Sequence, residues 1–129
     1  MSPYLIIWLL AVHWVGDFIL QSSEMALQKS TSNDWLSTHV GVYSVVLLAG
    51  ASIYNGIFGY LTGSVFTLGA LLVFIALNGV LHWVTDYFTS RLSARLWKAE
   101  RRHDFFVCLG GDQLVHAITL ILTANWLLI

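Results

Sequence analysis

The sequence has few charged residues. Asp, Glu, Lys and Arg make up 10% of its 129 residues, whereas about 25% is usual for a soluble domain. Hydrophobic residues make up 57%, and the mean hydropathy is +0.74. This composition excludes an ordinary soluble domain and indicates an integral membrane protein. The net charge of −1 provides no basic surface, so we expect no nucleic-acid partner.

Cysteine is also scarce. The single Cys108 cannot form an internal disulfide, so cysteine usage does not indicate a redox compartment. The N-terminal stretch MSPYLIIW lacks a basic segment and a small-residue cleavage site, and we therefore expect no removable signal peptide. The sequence also lacks low-complexity segments and an interdomain linker, which predicts a single domain over residues 1–129.

Four long apolar runs dominate the sequence instead. Each has roughly the 20 residues that a helix needs to cross a hydrocarbon core of ~30 Å. Runs of this length are expected to be helical, because a helix satisfies its own backbone groups in lipid. The predicted fold class is all-α, an integral membrane bundle of four transmembrane helices. The predicted spans are about Pro3–Gln21, Leu36–Ile57, Val65–Ser90 and Phe105–Leu128.

The positive charges predict an orientation. Five of the six Lys and Arg residues lie between the third and fourth spans, in the connection Arg91–Asp104, and Lys29 lies between the first and second. These two connections are on the same side of a four-span protein. The positive-inside rule places them in the cytoplasm, with both termini outside and the lipid bilayer as the partner.

Histidine and aspartate recur as pairs inside three of the apolar runs. The pairs are His13–Asp17 in HWVGD, His82–Asp86 in HWVTD and, in reverse order, Asp112–His116 in DQLVH. Residues four apart share one helix face. The order reverses in the span that runs the other way. Each pair is therefore expected to place its carboxylate nearer the cytoplasmic end and its imidazole one turn deeper.

These pairs predict a metal site. Unpaired charges inside a membrane are costly, so we expect the pairs to face one another in the bundle interior, together with His39. The set suits one or two divalent ions, with zinc as the first choice and iron or manganese as alternatives. The candidate ligands are His13, Asp17, His39, His82, Asp86, Asp112 and His116. An open alternative is that some carboxylates orient the His rings instead.

Supporting and catalytic roles follow from the same register. Three amides, Gln21, Asn78 and Gln113, are expected to support the ligands by hydrogen bonds. One of Asp17, Asp86 and Asp112 is the expected general base. The sequence has no G-x-S-x-G motif, which favours attack by metal-activated water. A site near the cytoplasmic leaflet predicts a hydrolase for a lipid or lipid-linked ester, amide or phosphoester.

Three other functions stay open at this point. Chains of His and Asp inside membranes also form proton or metal-ion transport pathways. Four His residues on four helices allow a b-type haem site, although the neighbouring Asp residues do not suit one. A small membrane adaptor with a structural metal is the third alternative. The sequence does not indicate an oligomeric state.

The polar phrases resemble those of a known family. HWVGDFILQ, the pair Thr38–His39, HWVTD and DQLVH are similar, in content and order, to a family of bacterial and phage membrane proteins catalogued as domain of unknown function 3307. The resemblance extends over almost the whole chain. It implies a small multi-span protein of the bacterial inner membrane with a shared polar site, and it implies no activity. Membrane-bound metal-dependent hydrolases show a looser similarity, since they also bury His and Asp on transmembrane helices.

Overall fold

The computed structural model describes residues 1–127, and within that range it contains helices and no strands. The predicted all-α class is therefore confirmed for these residues. Helix α1 (Pro3–Trp14) continues into a π-helical turn (Val15–Ile19), and the short helix α2 (Ser23–Gln28) follows. Helix α3 (Asn33–Tyr54) continues through a second π-helical turn (Asn55–Gly59) into α4 (Tyr60–Thr62). Helices α5 (Leu68–Lys98) and α6 (Arg102–Leu127) complete the chain.

Hydroxyl side chains mark where helices begin. Ser2, Ser22, Ser32 and Thr67 each accept a hydrogen bond from a backbone N–H two or three residues further on. Such N-caps satisfy one of the free donors at a helix start. Pro3 occupies the first position of α1, where its missing N–H has no cost. Gly63 ends α4 in the left-handed conformation, with a φ of 66°.

Three helical segments in the described range are long and apolar enough to cross a membrane. They are Asn33–Thr62, Leu68–Lys98 and Arg102–Leu127. Their surfaces are consistent with a lipid environment. The first segment, Pro3–Ile19, is apolar but shorter, so a fourth crossing stays a prediction. Leu128, the predicted end of the last span, lies outside the described residues.

The predicted connection Arg91–Asp104 is mostly helical. Helix α5 extends to Lys98 and α6 begins at Arg102, so only three residues form the turn. Glu100 makes the reversal in a left-handed conformation, with a φ of 59°. The helix end predicted at Ser90 was wrong. Charged residues indicate where a chain leaves the lipid, but Arg, Lys, Leu and Ala all favour helix, so α5 continues beyond that point. The 31 residues of α5 measure about 46 Å.

The bundle has an apolar end and a polar end. Helix α5 packs against α3 and α6, and α1 packs against α3 and α6. At one end the core consists of fully buried apolar side chains, among them Leu5, Leu9, Leu47, Phe74 and Leu120. Close approach of α1 to α3 brings the indole of Trp8 within 2.8 Å of the Gly50 carbonyl, to which it donates. The other end holds the buried His and Asp residues.

Candidate metal centre

All seven His and Asp residues that the sequence proposes as ligands meet at the polar end of the bundle. His13 lies near the end of α1, and Asp17 lies in the π-helical turn that follows. His39 is in the second turn of α3, while α5 and α6 each contribute one pair. Six of the seven are buried, and Asp112 is partly buried. The residues form three overlapping groups: Asp17, His39, His82 and Asp86; His13, Asp17 and His116; and Asp86, Asp112 and His116.

The π-helical turn positions Asp17. Its wider winding departs from the α-helical register immediately after His13, yet it keeps His13 Nε2 3.8 Å from Asp17 Oδ2. Gly16, in the same turn, faces Tyr43 so closely that an added Cβ would lie 3.1 Å from the tyrosine ring. Single π-helical turns inside helices occur frequently at functional sites. Here the turn directs a carboxylate toward α3 and α5.

Four ligand atoms form a compact set at the centre of this end. His39 Nε2 lies 3.1 Å from Asp17 Oδ1, 3.2 Å from His82 Nε2 and 3.4 Å from Asp86 Oδ2. His82 Nε2 lies 3.3 Å from Asp17 Oδ1 and 3.6 Å from Asp86 Oδ2. A tetrahedral zinc ion with N and O ligands at about 2.0–2.1 Å separates its ligand atoms by about 3.3–3.4 Å. The five distances, 3.1–3.6 Å, are close to that separation, and the ligand atoms of the group all lie within 4.8 Å of one another.

Packing is the main constraint on the rings of His82 and His116. The ring of His82 stacks on that of His116, with centroids 4.1 Å apart and planes 18° apart. The ring centroid of Tyr43 lies 4.1 Å from that of His82. Within the described residues, the Nδ1 atoms of His39 and His82 and both ring nitrogens of His116 are buried without a hydrogen-bond partner. Buried polar groups without partners are rare and costly. The ring nitrogens of His116, which lie 3.5 and 3.6 Å from carboxylate oxygens of Asp86 and Asp112 without a hydrogen bond, are therefore candidate metal ligands.

Gln113 connects the central set to the rest of the cluster. Its Nε2 donates to Asp17 Oδ2 at 2.8 Å and to Asp112 Oδ2 at 3.0 Å. Its Oε1 lies 3.1 Å from His13 Nε2, while the other ring nitrogen of His13 lies 3.2 Å from the Tyr43 hydroxyl. Both nitrogens of His13 are thus engaged by neutral partners. His13 is consequently less available to a metal than His39 or His82.

Asp112 occupies a different position from the other two carboxylates. It lies outside the four-atom set and accepts hydrogen bonds from Thr89, at 2.6 Å, and from Gln113. His116 Nδ1 is 3.6 Å from Asp112 Oδ2, and His116 Nε2 is 3.5 Å from Asp86 Oδ1. The ring of His116 therefore bridges the central set and Asp112.

Lys29 is a member of the site that sequence reasoning assigned only to topology. Its Nζ donates to Asp86 Oδ2 at 2.8 Å, and both side chains are mostly buried. The contact spans 57 residues of sequence, from the segment after α2 to the middle of α5. No periodic pattern links the two positions. Three carboxylates and one ammonium leave an excess of two negative charges when the imidazoles are neutral.

Two further contacts escaped the sequence analysis although signals were present. Tyr43 follows His39 by four residues and so shares its helix face, and it contacts both His13 and His82. Thr89 follows Asp86 by three residues and donates to Asp112 on the neighbouring helix. Neither residue type is a typical metal ligand, and each acts here by positioning a neighbour.

The three predicted supporting amides have different surroundings. Gln113 lies in the cluster, as described above. The amide nitrogen of Asn78 donates instead to the Phe74 carbonyl and to Thr123 Oγ1, deeper in the bundle. Gln21 faces a cavity beside the cluster, and its Oε1 is buried without a hydrogen-bond partner in the described residues.

A cavity of about 430 Å³ connects the cluster to the surface. Its polar wall includes Asp17, Lys29, Asp86 and Asp112. Its apolar wall includes Phe18, Leu27, Trp97, Phe105 and Leu109. Along α5 it reaches from Asp86 to Trp97, a rise of roughly 16 Å. The cavity therefore adjoins the candidate ligands and opens beside the basic end of α5.

Comparison with known proteins identifies a family. The family described as "Protein of unknown function (DUF3307)" matches residues 5–129. No curated protein and no solved structure matches the chain. The match covers all the helices that carry the cluster, in agreement with the resemblance seen in the polar phrases.

Proposed function

Because this chain belongs to the DUF3307 family of proteins of unknown function, we propose a function from the geometry of its site. The protein is a membrane-embedded, metal-dependent hydrolase. It acts on a lipid or lipid-linked substrate from the cytoplasmic leaflet of the bacterial inner membrane. The observation that carries this proposal is the close set of His39, His82, Asp17 and Asp86, with ligand-atom distances near those of a zinc site, beside an amphipathic cavity.

The charge of the cluster supports a divalent ion. A buried excess of negative charge is costly, and a divalent cation neutralises the two charges that Lys29 leaves uncompensated. The central set would hold one ion, zinc by its ligand types and spacing, with iron or manganese as alternatives. His116, together with Asp17 or Asp86, would hold a second ion.

The residues around the central set divide the catalytic work. A divalent ion supplies Lewis acidity toward a carbonyl or phosphoryl oxygen and toward an attacking water. Asp112 lines the cavity outside the central set, so it is the carboxylate best placed to accept a proton from that water. The water oxygen bonds to the carbonyl carbon or phosphorus. The ester, amide or phosphoester bond to that atom breaks, and the leaving group takes the proton from Asp112.

Topology belongs to the same proposal. The segment Pro3–Ile19 crosses the bilayer as the fourth span, with the help of the π-helical turn and the residues that follow it. The basic end of α5 and α6 lies in the cytoplasm, and both termini lie outside. This orientation opens the cavity toward the cytoplasmic leaflet, where anionic lipids concentrate.

Two alternatives receive less support from the geometry. For transport, a polar pathway would have to continue past Asn78, but fully buried Phe74, Leu9 and Leu120 occupy the next layers. For haem, two axial imidazoles must leave room for a porphyrin between them. His39 Nε2 and His82 Nε2 are only 3.2 Å apart, and carboxylate oxygens of Asp17 and Asp86 also lie within 3.4 Å of His39 Nε2. This spacing leaves no room for a porphyrin.

Elemental analysis and a lipid hydrolysis assay test the proposal together. Protein purified without chelator should contain one or two divalent ions per chain. His39→Gln and His82→Gln should lose them, whereas His103→Gln, which replaces an exposed histidine at the start of α6, should not. Reconstituted protein should release product from lipid vesicles, detected by mass spectrometry, and chelator should stop the release. A metal-replete protein without turnover across neutral and anionic lipids contradicts the hydrolase, and a metal-free protein contradicts the site itself.

A further inference from the structure

The cavity contains a single cation, and that cation is already paired. Among the described residues that line the cavity, Lys29 is the only Lys or Arg. Its ammonium donates to Asp86 Oδ2 at 2.8 Å, and its side chain is 17% exposed. The same oxygen belongs to the central set of candidate ligand atoms, 3.4 Å from His39 Nε2. Lys29 and a metal ion therefore compete for one carboxylate oxygen.

Metal binding would change the charge that the cavity presents. Without metal, the polar wall has three carboxylates against one ammonium, and an anionic ligand would be repelled. A divalent ion at the central set balances that charge and weakens the hold of Asp86 on Lys29. Lys29 then becomes the positive group that faces the cavity. Two sites linked in this way must bind their ligands cooperatively.

Other lining groups suit an oxyanion on an apolar chain. Ser90 Oγ and Gln21 Oε1 are buried without hydrogen-bond partners in the described residues. The Ser90 hydroxyl can donate a hydrogen bond, and the orientation of the Gln21 amide is set by whichever partner it meets. Beyond these groups the wall is apolar, with Leu27, Trp97 and Phe105. A small inorganic anion would leave this apolar wall without a contact.

We propose that the cavity binds an amphiphile with an oxyanion head group on an apolar chain, and that Lys29 receives the head group only when metal occupies the central set. This inference rests on the metal site of the proposed function. It adds the substrate class and identifies Lys29 as the residue that selects it. The positive coupling between metal and amphiphile is its distinctive consequence.

The test uses the full chain in phosphatidylcholine nanodiscs, either loaded with Zn²⁺ or treated with chelator. Dodecyl phosphate is titrated, and tryptophan fluorescence follows its binding. Trp97→Phe identifies the contribution of Trp97, the indole that lines the cavity. Zinc should tighten the binding of dodecyl phosphate about ten-fold, within the usual range for coupled sites. Inorganic phosphate should bind at least about ten-fold more weakly, a difference of about 1.4 kcal/mol, and dodecyltrimethylammonium should show no gain from zinc.

Substitution of Lys29 separates this inference from direct ligation by the metal. Lys29→Met should keep zinc but lose the ten-fold gain, and Lys29→Arg should retain most of it. Lys98→Met, which removes an exposed lysine at the end of α5, is the matched control and should behave like the parent. If zinc binds but the gain is absent, or survives in Lys29→Met, the inference is overturned while the metal site stands. If inorganic phosphate binds as tightly as dodecyl phosphate, the amphiphile is excluded. If zinc does not bind, both the proposed function and this inference fail.

Discussion

The two ends of the bundle bury their side chains equally well but with opposite chemistry. At the apolar end Leu9, Leu47 and Phe74 are fully buried, and at the polar end His39, His82 and Asp86 are no more than 1% exposed. Apolar side chains need no partner beyond close packing, because they have no hydrogen-bonding groups. Buried carboxylates and imidazoles also need hydrogen-bond partners, and several of the imidazole nitrogens lack one in the described residues.

The two π-helical turns show the same contrast. Both follow directly on an apolar helix, at Val15–Ile19 after α1 and at Asn55–Gly59 after α3. In the second, Asn55 accepts from the Phe66 backbone N–H and donates to the Phe66 carbonyl, so its polar group is satisfied locally. In the first, Asp17 reaches groups on three other helices. The second turn therefore stabilises a local connection, whereas the first brings Asp17 into the His–Asp cluster.

The largest effect is expected from Asp86→Asn. The change removes a proposed metal ligand and the partner of Lys29. Metal content should therefore fall, and the free energy of unfolding should fall with it by about 3–5 kcal/mol. Melting temperature is measured with and without chelator. Asp104→Asn, which breaks only the exposed pair with Arg101, is the control and should change little. A higher melting temperature for Asp86→Asn, with the chelator response unchanged, would show that the cluster serves only helix packing.

Leu47→Ala tests the apolar end by the same measurement. The side chain is fully buried in the core, so its truncation should destabilise the protein by about 2–5 kcal/mol. Metal content should stay at the parent value, because the change lies away from the ligands. Val45→Ala, two residues earlier and 66% exposed on the outer surface of the helix, should have little effect. Loss of metal in Leu47→Ala would show that the two ends are not independent.

Gly50→Ala should have an intermediate effect. A methyl group there would lie 2.5 Å from Val12 Cγ2, so α1 and α3 would have to separate. Overpacking of this kind costs about 1–3 kcal/mol. The double variant with Val12→Ala should recover much of the loss. Gly41→Ala, on the same helix with nothing within 4 Å of the added carbon, should not be destabilising. Equal melting temperatures for the two alanine variants would contradict the close approach.

The smallest effect on stability is expected from the cysteine variants that establish orientation. In a Cys108→Ser background, Lys98→Cys lies at the polar end and Leu61→Cys, at an 86% exposed position, lies at the apolar end. A membrane-impermeant thiol reagent added to intact cells should label only the Leu61→Cys protein. The reverse result would place the cavity at the outer leaflet.

The sequence by itself predicted the all-α class and the meeting of the His–Asp pairs, and both are consequences of helical periodicity. Residues four apart share a face, and the reversed order of Asp112 and His116 indicated a helix of opposite direction. Charge predicted which helix end leaves lipid, but it did not predict where the helix ends. The lengths of α5 and α6 therefore differ from those expected. The membrane character follows from composition, while the fourth crossing remains a prediction.

Only the tertiary structure decided which of the predicted site residues contact one another. Asn78 and Gln113 were both predicted to support the ligands, but their partners differ. The Asn78 amide donates to the Phe74 carbonyl and to Thr123, whereas the Gln113 amide donates to the carboxylates of Asp17 and Asp112. The tertiary structure also brought Lys29 to Asp86. The physical reason is that periodicity acts along one helix, whereas these contacts depend on the rotation and depth of one helix relative to another. Those variables are set by packing, such as the approach of Val12 to Gly50, and no local pattern in the sequence records them.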